Sequence, residues 1–262
     1  MSALLQVDSV RFAYARDAVL DDVSFAVQRG TIVGVLGPNG SGKTTLLRLL
    51  AGIITPSSGR VTLDEVAVAA FGRRELARRI AVVPQETYAT FDFTVLEIVL
   101  MGRYPHLGPF QLEGASDLAI ARDALAATGT VALADRLFST LSGGEKQRVV
   151  IAAALAQSSD VLLLDEPTAS LDVGYQLEIA SVLGRLNRDR GTTMVVSSHD
   201  LNFAASICKE LVLIRRGRVI ARGPTADVLT REHVRALYDV DADIAFNARA
   251  GHVTVIPVAH AG

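Results

Sequence analysis

The run Gly37-Pro38-Asn39-Gly40-Ser41-Gly42-Lys43-Thr44 has the residue types and spacing of an anion cradle, G-x-x-x-x-G-K-[ST]. Its glycines let successive backbone N–H groups curl toward one charge, and a helix start behind them adds partial positive charge. Lys43 is long enough to reach terminal phosphates, and the Thr44 hydroxyl suits Mg²⁺. A second group, Asp165-Glu166, closes an apolar run. Adjacent residues at a strand end point in different directions, so the two carboxylates take different jobs. Asp165 suits Mg²⁺, held through water, and Glu166 suits the water that attacks a γ-phosphate. A third group, Leu141-Ser142-Gly143-Gly144-Glu145, has the S-x-x-E spacing of a capping box before the apolar run Val149 to Ala156. Two glycines in a first helical turn are poor helix formers, and they fit a place where bare N–H groups must approach an anion. The chain thus carries two anion-binding helix starts, and one nucleotide cannot easily use both within a single subunit.

The elements that must position these groups follow from patterning. Ile32-Val33-Gly34-Val35-Leu36 reads as a strand ahead of the cradle, and Thr45 to Leu50 as the helix behind it. Residues 4–29 alternate apolar and polar positions, which predicts short antiparallel strands. Gly52 stops the first helix, a loop follows at Thr55 to Gly59, and Arg60 to Asp64 reads as a strand. A basic helix carrying Arg73, Arg74, Arg78 and Arg79 then precedes the strand Ile80 to Val83; the arginines read as a solvated face with no site. From Pro84 to Arg136 the strand–helix alternation breaks. Val95 to Met101 and Ala115 to Thr128 read as helices joined by a Pro/Gly-rich link, a helical insertion in an α/β core. The core resumes with Val161 to Leu164, Thr193 to Ser197 and Leu211 to Ile214, continuous apolar runs of a parallel sheet buried on both faces. A helix over Tyr175 to Arg190 separates the first two. The tail from Arg231 reads as one short helix and a weak strand, His252 to Ile256.

Composition narrows the classes. With 262 residues, half of them apolar and a fifth charged, the chain has enough material for a substantial folded core. A net charge of −2 gives no global attraction to nucleic acid. The single cysteine, Cys208, excludes an intrachain disulfide framework and a thiolate metal cluster, which fits a reducing compartment. The start, Met1 to Gln6 with Asp8 beyond it, lacks the pattern of a signal peptide, and the longest apolar run is far short of the ~20 residues a membrane span needs. Any membrane role is therefore expected to be peripheral.

Taken in order, these motifs resemble the ATP-binding subunits of ATP-binding-cassette (ABC) transporters over essentially the whole chain. Residues 37–44 match Walker A, Val161 to Glu166 match Walker B with its adjacent glutamate, and Leu141 to Glu145 match the LSGGE signature. Gln85 matches the Q-loop glutamine, Ser170-Leu171-Asp172 the D-loop, His199 the switch histidine, and Tyr14 the aromatic that stacks on adenine. The resemblance implies an α/β fold: a P-loop NTPase with a mainly parallel RecA-like sheet and an N-terminal antiparallel β subdomain, residues 1–84 and 160–262. A helical subdomain carrying the signature, residues 85–159, is inserted between them.

The resemblance also implies ATP and Mg²⁺, with Gly37 to Thr44 and Thr45 around the nucleotide and Thr44, Gln85 and Asp165 around the metal. Glu166, His199 and Gln85 would be catalytic. Two copies would face head to tail, with Ser142, Gly143, Gly144, Glu145 and Asp172 of one reaching the ATP of the other. The helical insertion would dock on two transmembrane permease subunits at the cytoplasmic face of the membrane, served indirectly by a substrate-binding protein and with no nucleic acid. Phe91-Asp92-Phe93-Thr94-Val95, Met101 to His106 and the ending Leu229 to Asp241 resemble importers of iron–siderophore complexes, with cobalamin and haem importers as alternatives. The chain departs from the pattern at Glu65, where a glycine often follows the turn residue Asp64. A soluble cassette acting on DNA or ribosomes would typically bring long coiled coils or tandem cassettes, which are absent. A GTP switch would bring N-K-x-D, which Asn187-Arg188-Asp189-Arg190 does not supply.

Overall fold

The computed structural model describes residues 3–15, 17–85 and 92–260; Phe91 and the extreme termini lie outside the described residues. Strands β1 (Leu5–Tyr14) and β2 (Asp17–Val27) pair antiparallel, as their alternation predicts, although they are long. The chain then enters β3 (Ile32–Leu36), the phosphate-type loop and α1 (Lys43–Leu50). Next come β4 (Ser58–Leu63) and the two-residue β5 (Val66–Ala67), which complete an antiparallel sheet ordered β2-β1-β4-β5. The turn between them places Asp64 and Glu65 at φ 47° and 67°, the left-handed region a glycine occupies without cost, so the departure at Glu65 is absorbed locally.

Helix α2 (Arg73–Arg79) leads into β6 (Ile80–Val83). The insertion follows as α3 (Val95–Met101), α4 (Ala115–Ala127) and α5 (Gly143–Ala156). The core resumes with β7 (Val161–Asp165), α6 (Val173–Arg190), β8 (Thr193–Ser198), α7 (Leu201–Ile207) and β9 (Glu210–Arg215). The remainder is β10 (Arg218–Pro224), α8 (Thr225–Val228), α9 (Arg231–Tyr238) and a hairpin of β11 (Val240–Asn247) with β12 (His252–His260). The tail therefore holds a paired hairpin, not the single weak strand expected from sequence.

The central sheet runs β10-β9-β3-β8-β7-β6, parallel except for β10. Its strands are apolar on both faces because both are covered. On β3, Val33 and Val35 face a cluster shared with α1 and the antiparallel sheet; Ile32 and Leu36 face another shared with α5, α6, α7 and the tail. The insertion joins that second cluster through Val95, Val99, Leu125 and Phe138.

The arginines of α2 form an exposed face at Arg73, Arg74 and Arg78, as expected, but three of the four also make specific contacts. Arg74 and Arg78 donate to the backbone oxygen of Pro105, at 3.0 and 2.8 Å, and Arg74 also reaches that of Tyr104. Arg79 is paired with Asp160 and Asp64. Backbone carbonyls leave no mark in a sequence, so this mooring of the insertion is invisible before folding. A second clip is buried: Arg103, just past α3, meets Asp117 at the start of α4 at 2.9 Å and donates to Ala156 O at the end of α5 at 2.7 Å.

Candidate functional site

Strand β3 delivers the loop to the carboxyl edge of the parallel sheet, where open α/β folds gather their ligands. Gly37 passes so close to its neighbours that a Cβ would fall 2.2 Å from Ile214 O, and Gly42 starts α1 at φ 104°. Gly40, by contrast, has open space where a Cβ would stand. Lys43 turns back over the loop: its ammonium donates to Gly37 O at 2.8 Å and Pro38 O at 3.2 Å and lies 3.2 Å from Glu166 Oε1.

Glu166 follows β7 in the left-handed region, φ 46°, a conformation that costs a non-glycine residue on the order of 1 kcal/mol or more. That turn is held from β8. Glu166 N donates to Ser197 Oγ at 3.0 Å, while Ser197 Oγ donates to Asp165 Oδ1 at 2.6 Å. One fully buried serine thus fixes both carboxylate residues, and it does so because Asp165 and Ser197 are register partners in the parallel β7–β8 pair. The Glu166 carboxylate then bridges two cations or donors, Lys43 on one oxygen and His199 Nδ1 at 2.9 Å on the other.

A cavity of about 740 Å³ collects Asn39, Gly40, Gly42, Lys43, Thr44, Thr45, Gln85, Glu166, Ser170 and His199, all named from sequence, together with Val19 and Ala169, which were not. Beside it a second concavity brings Thr44, Gln85 and Asp165 together. Tyr14 is exposed, packs edge-on against Phe12, and its hydroxyl meets Arg48 at 3.4 Å; hydrogen bonds from Arg48 and Thr45 hold its phenol below the usual range. Tyr14 does not line the cavity.

The signature residues also lie outside it. Ser142 caps α5, accepting from Glu145 N while Glu145 returns to Ser142 N at 2.8 Å, the full capping box expected from the spacing. The Ser142 N–H bond, followed by the Ser142 hydroxyl, holds the Glu145 carboxyl low. Asp172 caps α6 through Tyr175 N at 3.0 Å, and the Tyr175 hydroxyl meets Ser142 Oγ at 3.1 Å. The residues Ser197 and Tyr175 were missed because each acquires its place by pairing across the fold.

The fit to a triphosphate and a hard cation rests on the donors present. Ser41 Oγ is buried inside the loop without a partner, an orphaned hydroxyl of the kind a phosphate oxygen satisfies. Thr44, Asp165 and Gln85 offer oxygen ligands, and among the described residues no group of three or more His, Cys, Asp or Glu could form an all-protein metal cage. A cation shared with substrate phosphates through few protein ligands matches that donor set. The residues fit both groups.

A phosphate-type loop between a parallel strand and a helix, facing carboxylates at the end of β7, one strand beyond its neighbour β8, defines a P-loop NTPase. The ABC transporter family model matches residues 20–169, and the chain belongs to that family. It is 43% identical over 254 residues to the cobalamin import ATP-binding protein BtuD of Halobacterium salinarum, covering 97% of this chain but only 63% of that protein. It is 36% identical over 256 residues to the ferric enterobactin transport ATP-binding protein FepC of Escherichia coli, covering 98% of this chain and 94% of that one. A solved ABC transporter in an inward-facing conformation superposes with a TM-score of 0.87 at 32% identity, over 98% of both chains.

Proposed function

We propose that this chain is the ATP-hydrolysing subunit of an importer for iron–siderophore complexes. The observation that carries the hydrolytic part is the convergence of Lys43, Glu166 and His199 on one cavity beside the phosphate-type loop. In this reading the loop Gly37 to Thr45, through its backbone N–H groups other than at Pro38, and the Lys43 ammonium hold the triphosphate, and Tyr14 meets the adenine. Thr44, Asp165 and Gln85 would hold Mg²⁺, which would supply positive charge against the phosphates during transfer. Phosphates that take the Lys43 ammonium release one oxygen of Glu166, which then orients the attacking water and accepts its proton. The water oxygen bonds to γ-phosphorus as the bond to the bridging oxygen breaks, giving ADP and phosphate. His199, already on Glu166, holds the carboxylate in place.

The remaining assignments follow from the second helix start. Ser142, Gly143, Gly144, Glu145 and Asp172 serve the nucleotide of a second, head-to-tail copy. Residues 85–159 form the subdomain that docks on two transmembrane permease subunits, themselves fed by a substrate-binding protein. Among the described residues no helix is long and apolar enough to cross a membrane; a peripheral place on the cytoplasmic face is supported by the similarity to import ATP-binding proteins.

Mixed subunits test the trans arrangement. Lys43→Ala and Ser142→Arg chains should each be inactive alone. Mixed together they should regain part of the ATPase activity, because one of the two sites is then intact. No recovery on mixing sinks the head-to-tail assignment. Similarity to FepC favours a ferric siderophore as cargo, whereas the higher identity to BtuD favours cobalamin. Uptake of labelled ferric siderophore, haem and cobalamin by a deletion strain decides among them.

A further inference from the structure

His199 stands alone between two fixed elements. Strand β8 ends at Ser198, and Asp200 already caps α7 by accepting from Asn202 N and Phe203 N at 2.9 and 3.0 Å. The imidazole is half exposed and its inner contact is Glu166. On the outer side its backbone is held from the tail: Tyr238, the last residue of α9, donates its hydroxyl to His199 O at 2.9 Å. One turn further on, the Asn202 side chain grips β12 at both ends of its amide. It donates to Val255 O at 3.0 Å and accepts from Val255 N at 2.8 Å.

The tail is packed and bonded to the sheet, as an anchor must be. Val234, Leu237, Ala242 and Val255 are buried in the same cluster as the sheet, and Arg215 of β9 is bonded to Ala236 O and Asp239 at the end of α9. Burial, with help from the Asp200 and Glu166 carboxylates, pushes the Tyr238 phenol upward, which favours its protonated, donating form. A cavity of about 360 Å³ lies between the 199–202 turn and the tail, lined by Tyr238, Val240, Val255 and Pro257. The turn therefore has room to move wherever these bonds are lost.

We infer that the α9–β12 tail is a brace for the switch histidine, and that Tyr238 is the positioning residue through which it sets His199 against Glu166. The inference rests on the reading of His199 as part of the hydrolytic site. It assigns residues 231–260 a part in turnover and makes any molecule that loosens the hairpin a brake on hydrolysis.

Tyr238→Phe in the full-length chain removes one hydrogen bond and keeps the packing. A typical bond of this kind carries about 0.5–1.5 kcal/mol, so kcat should fall roughly two- to ten-fold while KM for ATP stays the same. Amide exchange at Asp200 to Phe203 should quicken by a similar factor. Asn202→Ala, which releases β12 from the same turn, should repeat both effects. An unchanged kcat in both variants overturns the brace, as does a loss of melting temperature with turnover intact, the result of a merely structural contact. His199→Ala separates the two levels. If it keeps full turnover, the site assignment itself fails; if it is inactive while Tyr238→Phe is unaffected, the brace alone fails.

Discussion

Gly144 and Tyr175 compete for the same space: a Cβ on Gly144 would lie 2.0 Å from Cδ1 of the Tyr175 ring. At Gly143 the same construction meets only Leu171, at an ordinary 3.4 Å. The two glycines of the signature are thus glycines for different reasons. Residue types alone suggest that both expose N–H groups to an anion; the second is required by an aromatic ring of its own chain. Gly144→Ala should therefore lower folding stability, by about 1–3 kcal/mol as overpacking does, and not only turnover. Urea unfolding of Gly144→Ala and of Gly144→Ala/Tyr175→Ala checks this. The double variant should recover stability, and a single variant as stable as wild type refutes the steric account.

Lys43 and Glu166 share an ion pair in which each is almost fully buried. Lys43→Ala should abolish ATP binding in a fluorescent-nucleotide titration. Glu166→Gln should still bind ATP but turn over about 10²- to 10⁴-fold more slowly, the range for loss of a general base. It should also accumulate as an ATP-bound dimer on gel filtration. Full turnover in either variant rules out the role given to that residue.

Acid should weaken the clip between Arg103 and Asp117. The Gly114 N–H bond, then the Arg103 guanidinium, hold the Asp117 carboxyl below its ordinary 3.8. A carboxylate lowered on folding stabilises the chain fully above its ordinary value, and that share is lost as pH falls through the folded-state value. The melting-temperature gap between wild type and Asp117→Asn should be constant near neutrality and shrink below about pH 4. A gap that widens on acidification contradicts the sign.

Arg74→Met/Arg78→Met should free the 104–113 stretch from α2. Limited proteolysis there should speed up, while global stability changes by roughly 1 kcal/mol or less, as for exposed hydrogen bonds. Unaltered cleavage refutes the mooring.

What is legible in the chain divides along a physical line. The cradle at residues 37–44 can be read directly because backbone and spacing do its work, and the Ser142–Glu145 box because its partners are three residues apart. Helix α3 is legible for the same reason. Ser197, Tyr175 and Tyr238 are not: each earns its role from a partner 32, 31 or 39 residues away, as in Ser197 with Asp165, Tyr175 with Gly144, and Tyr238 with His199. Strand β11 is a different kind of miss. Val240, Ala242, Ile244 and Phe246 alternate plainly, but the shorter run His252 to Ile256 was the only strand expected in the tail. The contacts of Arg74 and Arg78 are hidden in the sequence because the acceptors that bind them are main-chain oxygens.

That last feature bears on how the molecule changes over generations. Every residue type presents the same carbonyl at positions 104 and 105, so Arg74 and Arg78 hold the stretch whatever side chains it displays. Exposed Tyr104, Phe110 and Leu112 are then free to be rewritten without loosening the grip beneath them. In the docking proposed for residues 85–159, a lineage could trade one partner for another by altering this ridge, and the ATP machinery would inherit the change without having to adapt.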